Sequence, residues 1–322
     1  MNVQNNKKNK NEFDLPLLLT PGQDIAGYAG RHIGRAVLFS ITAFSVVAVL
    51  LILFFVMKQA WPFIVSGKWT EFLSSDQWYP QAEDAEFGAL AIVTGSFYVT
   101  LIAMLIASPI GLLSAVFLSD IAPFRLRQIV KPVIEILAAI PSVAYGFFAV
   151  LVLAPWLQDH FGFSTGTNAL NAGIILAVMA LPTIISVAED ALSSIGRDIR
   201  EASYGLGATR AETMMKVVLP AAHSGIIAAF ILGVMRAVGE TMVVWMASGN
   251  ANQFPSPWWD VSASVRTMTA TIAGEMGETP EGSEHRFALF ALGVLLLIFT
   301  MLLNLLSEIF TSSFKRTMGG KR

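Results

Sequence analysis

Runs of hydrophobic residues, separated by polar segments, recur along most of the chain. A helix needs about 20 apolar residues to cross the hydrocarbon core of a bilayer. Six runs reach that length, at residues 36–57, 89–118, 130–153, 169–188, 224–247 and 287–310. The pattern therefore predicts an all-α, polytopic membrane protein with six transmembrane helices. We expect a transmembrane domain at 36–312, between an N-terminal tail at 1–35 and a C-terminal tail at 313–322.

The composition supports a membrane protein. Hydrophobic residues make up 54% of the 322 residues and charged residues only 14%, and the mean hydropathy is +0.62. A soluble domain of this length would need many more surface charges. The chain has no cysteine, which excludes disulfides and thiolate metal sites. Its four histidines are scattered without the spacing of metal ligands, so we expect no metal site.

The distribution of basic residues predicts the orientation. With the N-terminus inside, most of the 21 Lys and Arg lie before the first run, after the last one and in the loops around 120–131 and 197–216. The outer loops are then mainly acidic. Cytoplasmic loops carry an excess of Lys and Arg in membrane proteins. We therefore expect both termini in the cytoplasm.

The polar interruption before the fifth run has an unusual pattern. Residues 191–202 and 209–218 favour helices, and Gly205-Leu-Gly207 between them permits a sharp reversal of the chain. Thr209 followed three residues later by Glu212 fits a capping box. We expect a cytoplasmic loop over 190–222 that contains two short helices.

Two interpretations of this loop follow from its residues. It is either an ordinary amphipathic loop at the membrane surface or a docking element that inserts into a groove on another protein. Leu206, Met214 and Met215 are available to pack in the second case, since methionines adapt to irregular surfaces.

A charged pair lies inside the fifth apolar run. Arg236 is near mid-bilayer, and Glu240 comes four residues later on the same predicted helix face. Charges at that depth cost at least about 2.5–3.5 kcal/mol each, so they need partners. The two side chains either pair with each other as a structural lock or serve a translocation path, since a guanidinium suits phosphate oxygens. Gly233 and Gly239 are expected to let a neighbouring helix approach closely.

Two further segments have open interpretations. Pro141 breaks the third run, and residues 141–146 either line a pathway or form a packing kink. In the outer loop before the sixth run, residues 261–276 contain no helix breaker until Gly274. They are expected to form a short helix, either at the outer interface or re-entering the membrane.

The cytoplasmic loop resembles a known signature. Its spacing, E-A-S, three residues, G, nine residues and V-V-L-P, is similar to the motif by which permeases of ATP-binding-cassette (ABC) importers engage their ATPase subunits. The resemblance implies docking residues at Glu201, Ala202, Gly207, Leu219 and Pro220. It departs from the family at Ser203, where a second alanine is usual.

The fifth run narrows the resemblance. Residues 233–242, G-V-M-R-A-V-G-E-T-M, look like the G-x-x-R-A-x-G-E-T motif of the permeases of the bacterial high-affinity phosphate ABC importer. Further matches occur at 107–111, 134–147 and 282–290, so the resemblance covers about residues 36–312. The acidic first outer loop and the Gly-Ser-Glu-His stretch look more like the C-type permease than its A-type partner. The resemblance implies that Arg236, Glu240 and Thr241 lie in the phosphate path.

The resemblance also implies an assembly. A type I ABC importer pairs this permease with a second homologous permease chain, two ABC ATPase subunits and an extracytoplasmic phosphate-binding protein, in the bacterial cytoplasmic (inner) membrane. The chain lacks a Gly-x-x-x-x-Gly-Lys-Ser/Thr phosphate loop, so it is not expected to be an enzyme. No cofactor and no nucleic acid are implied. The alternatives are a permease for another oxyanion such as sulfate or molybdate, or an ion-coupled secondary transporter in which Glu240 is a proton site.

Overall fold

The computed structural model describes residues 21–318, with side chains described for 32–310. This part of the chain is almost entirely helical. Its α-helices are Pro21–Val65 (α1), Trp69–Ser74 (α2), Leu90–Val116 (α3), Phe124–Ala139 (α4), Ser142–Phe148 (α5), Ala154–Phe161 (α6), Ala169–Ser193 (α7), Arg197–Gly205 (α8), Arg210–Thr213 (α9), Leu219–Val238 (α10), Met242–Ala247 (α11), Met268–Glu275 (α12) and Glu284–Met318 (α13).

Two smaller kinds of element interrupt this pattern. Five-residue π-helical turns occur at Phe117–Ile121, Ala149–Leu153 and Met214–Val218. Strands β1 (Trp78–Tyr79) and β2 (Glu86–Phe87) form an antiparallel pair in the loop between α2 and α3, with Trp78 opposite Phe87. The chain divides into two units, Met1–Phe55 and Val56–Arg322, and α1 runs across the boundary. The first twelve residues, which the sequence predicts to be disordered, lie outside the described part.

Six helical stretches of the described part are long and apolar enough to cross a membrane, as the sequence predicts. They are His32–Val65, Leu90–Ile121, Ser142–Phe161, Ala169–Ser193, Arg210–Val238 and Glu284–Phe310. The third differs from its predicted bounds. The helix that contains residue 130 ends at Ala139, and Ile140 is extended (φ −64°, ψ 129°) because the residue before a proline avoids the helical region. The third stretch therefore starts at Ser142.

Helix α7 packs between α3 and α10 through glycine contacts. A Cβ added at Gly111 of α3 would stand 2.6 Å from Cγ2 of Ile184 on α7. A Cβ added at Gly233 of α10 would stand 2.7 Å from Cδ1 of the same isoleucine. Small residues at such contacts allow helix backbones to approach closely. The expectation for Gly233 is confirmed, whereas that for Gly239 is wrong, because the nearest atom there is the carbonyl oxygen of Met235 in its own helix.

The short helix α12 confirms the helix expected in residues 261–276, with narrower bounds because Thr267 caps it by accepting from the Ala270 amide. The Met268 amide donates to Ser96 Oγ at 2.8 Å, and Thr269 Oγ1 donates to the Glu240 carbonyl at 2.7 Å. Ser96 lies about 9 Å along α3 from its first residue. The N-terminal end of α12 therefore packs beside α3, and its placement at the outer interface or re-entering the membrane stays a prediction.

Candidate functional site

Arg236 lies in the last turn of α10 with an exposed side chain. Within the part of the chain that the structure describes, its guanidinium has no hydrogen bond or ion pair. A charged side chain in a spanning helix is costly and normally faces a water-filled path or another protein chain. All five N–H donors of Arg236 therefore remain available to a group outside this chain.

Glu240 does not pair with Arg236. Helix α10 ends at Val238, and the chain passes through Gly239 and Thr241 before α11 begins. The 3.6-residue periodicity is lost over this break, so the predicted placement of both charges on one helix face is wrong, and no ion pair joins them within 4.0 Å among the described residues. The structural-lock interpretation of the pair fails for the same reason.

Glu240 is half-buried beside hydroxyl groups. Together with Ser96, Thr100, Thr267 and Thr269 it lines a small internal cavity at the N-terminal end of α12. Thr241, the third predicted pathway residue, is half-buried at the same break. The surroundings of Glu240 are therefore polar, although the neighbouring helices are largely apolar.

The break in the third run packs against α11. Tyr145 is 8% exposed, and its hydroxyl donates to the Leu137 carbonyl at 2.9 Å, which joins α5 to α4 across Pro141. Gly146 packs directly on Met246 of α11. The segment 141–146 thus contributes packing against α11, and its role in lining a pathway stays a prediction.

The loop over 190–222 has the predicted reversal and cap. Gly207 has φ +85°, in the left-handed region that favours glycine. The capping box is complete: the Glu212 amide donates to Thr209 Oγ1 at 3.3 Å, and the Thr209 amide donates to Glu212 Oε2 at 3.0 Å. Glu201 and Ala202 lie exposed on α8.

The predicted second helix of this loop is not a separate element. Only α9 and a π-helical turn separate Thr209 from α10, so residues 210–238 form one helical stretch. Leu219 and Pro220 are its first two residues after the π-helical turn, and Pro220 has no amide to donate to the preceding turn. The predicted first helix also differs, since the chain breaks between Ser193 and Arg197.

The apolar side chains of the loop divide into two groups. Leu206 is 90% exposed and Met215 is 66% exposed, as a docking surface requires. Met214 is buried against Ala188 and Leu192, so the expectation that it is available to a partner is wrong. Ser203, the departure from the motif, shares a buried hydrogen bond of 2.8 Å with Thr213.

Two charged clusters were not recognised from the sequence. In the first, Glu275 accepts from Arg266, Trp78 and His285 at 2.7–2.9 Å, next to a cavity of about 690 Å³. In the second, Arg200 pairs with Asp120. The sequence shows the sign of each charge, but it does not show which of these distant residues meet.

Comparison with known proteins identifies the family. Residues 107–318 match the family described as binding-protein-dependent transport system inner membrane component. The chain belongs to this family. It is therefore a transporter component and a multi-pass membrane protein of the ABC importer class.

Individual relatives agree with this assignment. The chain is 36% identical over 312 residues to the probable ABC transporter permease protein YqgH of Bacillus subtilis, covering 97% of this chain and 99% of the relative. It is 32% identical over 282 residues to the phosphate transport system permease protein PstC of Haemophilus influenzae, covering 80% of this chain and 87% of that relative. A chain of the inward-facing MetNI methionine ABC transporter matches with a TM-score of 0.53 at 21% identity, covering 70% of this chain and 97% of that one. The fold is that of a type I ABC importer permease.

Proposed function

We propose that this chain is a permease subunit that carries inorganic phosphate across the cytoplasmic membrane in an ATP-driven importer. The observation that carries the proposal is the unpartnered, exposed guanidinium of Arg236 within a spanning helix. A planar fork of donors binds the oxygens of a tetrahedral oxyanion with charge-assisted hydrogen bonds. The similarity to PstC of Haemophilus influenzae supports phosphate as that oxyanion.

Glu240 and Thr241 complete the proposed pathway. Both lie at the break between α10 and α11, where the helix gives way to irregular backbone. Irregular backbone at membrane depth is tolerated where it lines a cavity or is buried in protein. A second homologous permease chain provides the opposite wall, because the Arg236 side chain points out of this chain.

The cytoplasmic loop is the proposed docking site for an ATPase subunit. Glu201, Ala202, Gly207, Leu219 and Pro220 make up the signature, and the exposed Leu206 offers an apolar contact to a groove. Two ATPase subunits hydrolyse ATP for the pair of permeases, and an extracytoplasmic binding protein delivers phosphate. In this arrangement both termini are cytoplasmic, with tails at 1–35 and 313–322 and a transmembrane domain at 36–312.

Uptake of labelled phosphate tests the proposal. Cells that lack this chain are supplied with the wild-type chain, with Arg236→Gln or with Lys58→Gln, and labelled sulfate serves as the control anion. Lys58 is an exposed cation on α1 and is the matched control. The wild-type chain and Lys58→Gln are expected to restore phosphate uptake. Arg236→Gln is expected to lower uptake roughly tenfold or more, because a hydrogen bond to a charged group is worth about 1.5–3 kcal/mol.

Two outcomes contradict the proposal at different points. Restored sulfate uptake without phosphate uptake rejects phosphate and keeps an oxyanion permease. Wild-type uptake by Arg236→Gln, with equal amounts of the chain in the membrane, removes Arg236 from the pathway.

A further inference from the structure

The cytoplasmic end of the second spanning stretch is held by side chains from two other elements. Helix α3 passes into the π-helical turn Phe117–Ile121, which contains Asp120. Arg200 Nη1 of α8 lies 2.6 Å from Asp120 Oδ1, and the two side chains are only 13% and 14% exposed. Ion pairs that are largely removed from water are screened less by salt than surface pairs.

Arg200 also reaches the end of α7. Its Nη2 donates to the Leu192 carbonyl at 2.8 Å, and Leu192 is the penultimate residue of α7. One guanidinium therefore joins α8, the end of α7 and the turn that ends the second spanning stretch. Its planar fork of donors suits this role, because it binds both acceptors in one orientation.

The same π-helical turn is tied to α4. Arg127 donates from Nε to the Leu118 carbonyl at 2.8 Å and from Nη2 to the Ser119 carbonyl at 2.8 Å. Carbonyls at the end of a helix lack intrahelical partners, so these bonds satisfy them. Helix α4 leads to the Pro141 break, where the Tyr145 hydroxyl donates to the Leu137 carbonyl of α4 at 2.9 Å.

Covalent links connect α8 to only two spanning stretches. The chain joins α8 to α7 through residues 194–196 and to α10 through residues 206–209 and α9. Its connection to the second spanning stretch is made by side chains, and the Asp120–Arg200 pair is the ion pair between these elements among the described residues. A rigid movement of α8 therefore acts directly on the end of the second spanning stretch through this pair, in addition to the packing of α7 on α3 and the Lys131–Glu189 ion pair between α4 and α7.

We propose that the Asp120–Arg200 ion pair couples movement of the docking helix α8 to the second spanning stretch and, through Arg127, to helix α4. Both residues are positioning residues, since neither contacts substrate. The inference rests on the proposed importer function and on α8 as its ATPase-docking helix. Breaking the pair is expected to separate ATP hydrolysis from transport without preventing assembly.

The complete importer, reconstituted in lipid vesicles, provides the test. Two quantities are measured for each variant: phosphate accumulated per ATP hydrolysed, and stimulation of ATP hydrolysis by the binding protein. Asp120→Asn and Arg200→Gln are expected to lower both about fivefold or more, the scale of a typical coupling free energy between sites. Lys58→Gln is the control, because it removes an exposed charge from α1, outside the docking loop. It is expected to behave as the wild-type chain does.

A cross-link separates coupling from simple stability. The chain contains no cysteine, so Asp120→Cys with Arg200→Cys introduces its only two thiols. Joining them with a short bismaleimide is expected to recover most of the coupling that the double variant loses. A merely structural role of the pair changes the thermal stability of the complex and leaves phosphate per ATP unchanged.

The outcomes distinguish this inference from the proposed function. Wild-type ratios in Asp120→Asn and Arg200→Gln overturn the inference, as does a cross-linked double variant that stays uncoupled. Failure of the wild-type importer to accumulate phosphate rejects the proposed substrate instead. The stimulation by the binding protein still reports on the ion pair in that case, because it does not require the substrate to be known.

Discussion

Ile184 is held between two glycines that belong to two different helices. Gly111 of α3 faces its Cγ2 and Gly233 of α10 faces its Cδ1. Because Ile184 is packed on both sides, it cannot move away when either glycine gains a side chain. Its position therefore sets how closely α3, α7 and α10 approach one another.

Gly233→Ala is expected to destabilise the chain by about 1–3 kcal/mol, the usual cost of overpacking a tight core. Gly239→Ala is the matched control, because Gly239 has φ −79° and its added Cβ would meet only an oxygen of its own helix at 3.2 Å. Thermal unfolding of the detergent-solubilised complex measures both. Equal unfolding midpoints for the two variants would contradict the packing argument.

The two glycines also show what single residues reveal from sequence. Gly233 was assigned a packing role correctly because small residues in spanning helices usually face a neighbour. Gly239 carries the same composition signal, yet it lies where α10 has just ended. The pairing of Arg236 with Glu240 fails for the same reason, since the four-residue spacing has meaning only inside a continuous helix.

At the scale of elements, the reversal between α8 and α9 depends on one backbone conformation. Gly207 has φ +85°, whereas Gly205 has an ordinary helical conformation at the end of α8. Gly207→Ala is expected to strain the turn by about 1–2 kcal/mol and to weaken retention of the ATPase subunits. Gly205→Ala is the control, because an added Cβ there meets open space. Co-purification of the ATPase with each variant measures the effect, and equal retention would contradict it.

Helix breaks were predictable where the cause is local. Pro141 imposes an extended residue before it, and the break lies there. The break at 239–241 contains no proline and is followed by Met242–Ala247, so the apolar run continues through it. Hydropathy measures where apolar residues lie, and it does not register a change of helix direction within them. The boundary error at residue 130 has the same origin, because α4 carries apolar residues right up to Pro141.

At the scale of the whole molecule, the number of spanning stretches follows from hydropathy. The hydrogen bonds and ion pairs that connect distant segments do not. Trp78 and Glu275 are 197 positions apart, and Asp120 and Arg200 are 80 apart. A single sequence contains no information on which distant charges meet. The sequence shows only that these loops are acidic, although Glu275 joins the loop around α12 to the loop that contains β1.

Glu275 accepts hydrogen bonds from three side chains that belong to different parts of the chain. Its Oε1 accepts from Arg266, and its Oε2 accepts from Trp78 and from His285. These donors lie before α12, on β1 and at the start of α13. One carboxylate therefore holds α12 to the loop that contains β1 and to the sixth spanning stretch.

Glu275→Ala is expected to destabilise the chain by about 2–3 kcal/mol, because it removes three acceptor contacts and leaves Arg266 without its counter-charge. This value is already lowered to allow for the partial exposure of the Arg266 and Glu275 side chains. Glu275→Gln keeps one amide oxygen as an acceptor. Its stability is expected to lie between that of the wild-type chain and that of Glu275→Ala. Glu278→Ala is the matched control, since Glu278 is exposed at the same outer cavity. Thermal unfolding ranks the three variants, and hydrogen exchange in 266–275 locates the loss. A Glu275→Ala chain with the unfolding midpoint of Glu278→Ala would show that α12 is held by its apolar contacts and its bonds to Ser96 and Glu240 alone.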